Sequence, residues 1–158
     1  MNKPTVKEYA LFVGLSEAVG ILSGIFSREG TALYAQMTQK PALSPPGWIF
    51  PVVWTILYAL MGIGAAKIWA APKSQASSRG LNLFIAQLIV NFFWSPIFFN
   101  ARAYGLAFFW LLLLWVLVFL MISEYRKVDK TAARLQIPYL LWLTFAAYLN
   151  WGVWQLNG

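Results

Sequence analysis

Three tryptophans fall inside long apolar runs rather than at their ends. Each lies about one turn from a polar or small residue: Trp54 before Tyr58, Trp94 after Asn91, Trp142 before Ala146. Indole rings offer broad flat faces for stacking, and amide and phenol groups beside them offer hydrogen bonds to the edges of a flat ligand. Such a set suits an aromatic cavity for a planar, largely apolar molecule. Ordinary catalysis is poorly served. The chain has no His and no Cys, which removes the usual general base, thiolate nucleophile and disulfides, and with them the common zinc and haem ligands.

One acid, Glu17, lies deep in an apolar run. An intramembrane carboxyl is a candidate for binding a cation, relaying a proton or pairing with a ligand. No basic residue shares its run, so a carboxyl kept protonated or hydrogen-bonded to a neighbouring helix is the plainer alternative.

The elements that must carry these residues are membrane helices. Of 158 residues, 60% are hydrophobic and 11% charged, too apolar for a soluble domain of this size. Five runs approach the roughly 20 apolar residues that a helix needs to cross a bilayer: 9–27, 48–66, 81–100, 103–123 and 135–156. The last four contain no Asp, Glu, Lys or Arg. Continuous apolar runs exclude the alternating pattern of a membrane barrel. The expected fold is an all-α membrane protein, a single domain over 1–158 built as a bundle of five transmembrane helices. The first run is too long, carries Glu17 and lacks a small-residue cleavage site, so it reads as a retained span rather than a signal peptide.

The connections set the orientation. Counting Lys and Arg, nine lie on the side of the N-terminus and three on the other: Arg28, Lys40 and Arg102. This bias puts the N-terminus in the cytoplasm and the link holding Pro41, Pro45 and Pro46 outside. Basic residues confined to short links argue against nucleic acid as a partner. Pro51 and Pro138 fall in first helical turns, where a missing N–H costs little.

Within the runs, spacing groups residues on faces. Gln87, Asn91 and Trp94 share one face, and Tyr139, Trp142, Ala146 and Asn150 share another. Gln87 reads as a hydrogen-bonding tie between helices, whereas Asn91 beside Trp94 is a ligand candidate. Ser16, Gly20 and Gly24 form a small-residue stripe, suited to close packing inside the bundle or to a homodimer seam.

Three segments in order carry a resemblance: KPALSPPGWIFPVVWTILYALMG at Lys40–Gly62, QLIVNFFWSPIFF at Gln87–Phe99 and PYLLWLTFAAYLN at Pro138–Asn150. On these the chain resembles the TspO/MBR family, the translocator and tryptophan-rich sensory proteins, in a bacterial-type form. The resemblance implies a five-helix bundle, commonly dimeric, with a pocket between helices capped by the first link. It implies binding of porphyrins, with protoporphyrin IX as the expected ligand and no required cofactor, and of isoquinoline-type compounds. It also implies pocket positions at Tyr34, Trp54, Asn91, Trp94, Trp142, Ala146 and Asn150. Alternatives within the family are light- and oxygen-dependent porphyrin degradation, with Trp54 and Trp142 as electron donors, and transport of sterols or other small molecules. Two departures stand out. The family's Trp-Tyr pair is Leu33-Tyr34 here, and its Lys-Pro-x-Trp is Lys40-Pro41-Ala42-Leu43. The C-terminal sterol pattern, a Tyr followed by Lys or Arg, is absent from Leu149–Gln155. The expected address is the bacterial cell membrane.

Overall fold

A computed structural model describes residues 3–36 and 39–158. Five long helices form the bundle: α1 (Val6–Phe26), α3 (Ile49–Ala70), α4 (Gln75–Ser95), α5 (Tyr104–Arg126) and α7 (Ile137–Asn157). Two short helices, α2 (Arg28–Ala35) and α6 (Lys130–Arg134), lie in the connections. Four of the long helices are apolar and long enough to cross a membrane, α4 together with the turn that extends it to Asn100. The fifth, α7, is 21 residues long and carries no charged group. Its Trp, Tyr, Asn and Gln residues make it less apolar. With these helices the protein is an integral membrane protein.

Helix ends follow caps rather than the limits of the apolar runs. α1 starts at Thr5, whose hydroxyl accepts from Glu8 N (3.1 Å) while Glu8 Oε1 accepts from Thr5 N (2.9 Å). α4 starts at Ser74, with Ser77 as its reciprocal partner. The helix therefore begins six residues before the apolar run at Leu81. Such boxes satisfy N–H groups that a helix start leaves unpaired. The first link, which carries Pro41, Pro45 and Pro46, also holds α2 directly after the turn at Ser27.

The end of α4 departs from regular α-helix. Pro96 has no N–H, so the carbonyl four residues earlier, Phe92 O, loses its helical partner. Residues Pro96–Asn100 widen into a π-helical turn, and Ser23 Oγ on α1 donates to Phe92 O at 2.7 Å. The proline thus opens an acceptor that ties α1 to α4.

Close packing is made by small residues, as expected where lipid and helix interior are equally apolar. At Gly62 on α3 any side chain would collide with the backbone of Phe12 and Val13 on α1. At Gly20 on α1 a side chain would collide with the Tyr58 ring. Ser16 is buried, its hydroxyl donating to Phe12 O, and Gly24 has open space beside it. Ser16 and Gly20 are thus occupied within the bundle. The interior is filled by Met61, Phe84, Leu111, Leu114, Val118 and Leu143. The outer faces are also apolar, with Leu112, Leu113, Val116, Phe119 and Leu120 of α5 all exposed.

Candidate functional site: an aromatic cavity between the helices

α1 and α3 meet tightly at Gly62 and Gly20 but leave space above, toward the first link. That space is a cavity of about 510 Å³, walled by α1, α2, α3, α4, α5 and α7. Its size falls in the range of about 300–1,000 Å³ typical of small-molecule sites. Trp54, Trp94 and Trp142 all line it, each from a different helix.

Their orientations are set by neighbouring rings. Trp54 lies against Tyr58, centroids 5.4 Å apart, and meets Tyr139 edge-on at 6.1 Å. Trp142 meets Phe50 edge-on at 5.9 Å. Trp94 stacks on Phe98 at 4.9 Å. Ala146, one turn beyond Trp142 on α7, leaves the notch that its small side chain predicts.

Behind the rings runs a chain of hydrogen bonds across three helices. Tyr58 OH donates to Asn91 Oδ1 (2.5 Å), Asn91 Nδ2 donates to Tyr139 OH (2.8 Å), and Tyr139 OH donates to Gln87 Oε1 (2.7 Å). Gln87 Nε2 ends the chain on Met61 Sδ at 3.7 Å. Asn91 is both a wall residue and a link in this chain. Gln87 is fully buried and serves as the tie that its position suggested. Asn150 sits elsewhere. It is buried off the cavity wall, accepting from Trp94 Nε1 (3.1 Å) and donating to Tyr104 O (2.9 Å). Its role is to hold the Trp94 ring in place. Trp142 Nε1 is buried and has no hydrogen-bond partner among the described residues.

The first link closes the mouth. Tyr34 of α2 lies on the wall and packs edge-on against Phe98 and Phe99 at 5.6 and 5.3 Å. Lys40 Nζ stands 5.0 Å from the centre of the Tyr34 ring, a cation–π geometry. Burial, with nearby Tyr104 adding less, holds the Tyr34 phenol above its ordinary value. The ring therefore stays neutral under Lys40. Arg28, counted with Lys40 on the same side of the membrane, is not on the wall. The link is pinned at both ends. Asn100 of the π turn donates to Phe26 O (2.7 Å) and accepts from Gly30 N (3.2 Å). Tyr148 OH of α7 donates to Ala42 O at 2.7 Å, and Asn157 Nδ2 donates to Gln39 O at 3.1 Å.

Several wall residues were not among the pocket positions read from sequence: Phe50, Tyr58, Gly20 and Phe99. Tyr58 carried a signal, one turn from Trp54. The others required knowledge of how each helix is rotated.

A family model described as TspO/MBR matches residues 12–155. The chain belongs to the TspO/MBR family. Among its curated relatives, the tryptophan-rich protein TspO of Chlorobaculum tepidum is 37% identical over 158 residues, 99% of each chain. The protein CrtK of Rhodobacter capsulatus is 34% identical, over 94% of this chain and 92% of its own. The translocator protein of Ovis aries is 42% identical over 131 residues, 82% of this chain and 77% of its own. Membership supports a membrane translocator or sensor role, and the TspO/MBR match spans all three cavity tryptophans.

Proposed function

We propose that this member of the family is a tetrapyrrole-binding translocator or sensor of the bacterial cell membrane, with its N-terminus in the cytoplasm. The observation that carries the reading is one cavity of about 510 Å³ walled by three tryptophans from separate helices. A porphyrin face would stack on these rings, and Asn91 would meet a polar edge. Lys40 stands at the mouth, where propionates would leave the apolar space. Isoquinoline-type compounds would compete for the same volume. The Lys and Arg bias puts the mouth on the outer side. Dimer formation belongs to the same reading, through an outward face of the bundle rather than Ser16 and Gly20.

The test is a titration with protoporphyrin IX in nanodiscs, in the dark, following tryptophan quenching in wild type and Ala146→Leu. Saturable quenching that weakens when Ala146 is enlarged is the expected result. Non-saturable quenching, the same in both proteins, would mean partitioning into lipid and would end the proposal.

A second reading, light-dependent porphyrin degradation, is favoured by Trp54 and Trp142 lying on the same wall. Each would be positioned to donate an electron to an excited macrocycle. Product yield under light that falls in Trp54→Phe and Trp142→Phe, with dark binding retained, supports it. Unchanged yield excludes it.

A further inference from the structure

Glu17 has no part in the hydrogen-bonded chain or the aromatic wall described so far. It is the one acid in the middle of a membrane-spanning helix, and it lines the cavity. Gly20, one turn toward the mouth on α1, lies against the Tyr58 ring. Glu17 thus belongs to the deep end of the space. Among the described residues the only other charged side chain on the wall is Lys40, which stands at the mouth over Tyr34. Glu17 lies in the middle of α1, nine residues before its last residue Phe26, about 14 Å of helix rise. Among the described residues Glu17 has no ion-pair partner.

A carboxylate in an apolar environment is costly unless a counter-charge meets it. This cavity brings two features that fit the same counter-charge. One is the carboxylate itself. The other is the set of electron-rich faces of Trp54, Tyr58 and Trp142 on the same wall, which attract a cation above the ring plane. An aliphatic ammonium would use the first and leave the flat space unfilled. A neutral aromatic would use the second and leave the carboxylate unpaired.

We propose that the cavity takes planar aromatic cations, with the cationic centre toward Glu17 and the ring system between the tryptophans. This rests on the reading that the cavity is a ligand site, and it adds a chemical class to that site. With Lys40 at the mouth, the space is bipolar: acidic at depth and basic at the opening. A ligand with a cationic ring system and an anionic group on the opposite end matches both charges.

The test uses wild type, Glu17→Gln and Ala146→Leu in phosphatidylcholine nanodiscs, in the dark at neutral pH. Each is titrated with N-methylacridinium, a fixed cation, and with acridine, a neutral probe of nearly the same shape, following tryptophan quenching. Glu17→Gln is expected to weaken N-methylacridinium roughly tenfold, the size of one charge-assisted contact, and to leave acridine within about twofold. Ala146→Leu weakens both probes, which places them in the cavity. The proposal is overturned if Glu17→Gln leaves N-methylacridinium within about twofold, as a carboxyl already protonated would. It is equally overturned if both probes weaken alike. Saturable acridine binding without preference for the cation would sink this proposal alone. Failure of both probes to bind wild type would remove the cavity as a ligand site as well.

Discussion

Replacing Asn91 with Leu keeps the side chain's approximate volume and removes its amide. Two interhelical bonds go with it, from Tyr58 OH and to Tyr139 OH. Interhelical hydrogen bonds in membrane proteins contribute about 0.6 kcal/mol on average and at most about 1.7. Two such bonds give about 1.2 kcal/mol. The Tyr58 hydroxyl, in a side chain only 6% exposed, is then left without its acceptor, which adds up to about 1 kcal/mol. The expected loss is therefore about 2 kcal/mol. Tyr58→Phe removes one bond and keeps the ring against Gly20 and Trp54, at about 1 kcal/mol. The two substitutions share the Tyr58–Asn91 bond. The double variant should be less destabilised than the sum by about 0.6–1.7 kcal/mol. The assay is reversible unfolding with SDS in mixed micelles, read by circular dichroism, as a double-mutant cycle. Additivity within about 0.3 kcal/mol, or Asn91→Leu as stable as wild type, would refute the idea that this chain of polar groups ties α3, α4 and α7. Because Trp54 rests on Tyr58, Asn91→Leu should also weaken cavity ligands.

Ser23→Ala should cost about 1 kcal/mol in the same assay, because Phe92 O loses its replacement partner. In a Pro96→Ala background, where residue 96 again supplies an N–H, the same change should be close to neutral. Asn100→Ala should release both Phe26 O and Gly30 N. Amide exchange in α2 should then accelerate while α5 is unaffected, and cavity ligands should dissociate faster. Tyr34 is held above its ordinary value of 10.0, so the folded state favours the neutral phenol. Its stabilising contribution is complete below pH 10.0 and declines as pH rises through the folded-state value. Tyr34→Phe should flatten the alkaline arm of the unfolding midpoint against pH, and an unchanged arm would count against burial of this phenol.

Much of the architecture was legible in residue order. Five uncharged or nearly uncharged runs became five long helices, because only a helix satisfies every backbone group within a bilayer. Trp54, Asn91, Trp94, Trp142, Ala146 and Tyr34 come together on one wall, since three- and four-residue spacing already put the members of each helix on one face. The short α2 was hidden by its polar composition beside a proline-rich stretch. The π turn was hidden because a proline near a span end tells where a helical bond is missing, not how the chain recovers it.

Direction of facing was the part that residue order did not contain. In a soluble helix the polar stripe marks the outside. Here lipid and protein interior select the same apolar side chains, so periodicity of hydrophobicity carries no rotation. Close contacts between helices decide it instead. Gly62 on the Val13 backbone and Gly20 on the Tyr58 ring set α1 against α3. That rotation occupies Ser16 and Gly20 within the bundle and turns Glu17 to the cavity. The same cause separates two amides that spacing treats alike. Asn91 reaches the wall, whereas Asn150, on the same face as Trp142 and Ala146, lies behind Trp94 as its acceptor. Composition and spacing determined that this is a helical membrane protein with an aromatic cavity. Tertiary packing decided which side chains face that cavity and which hold it in shape.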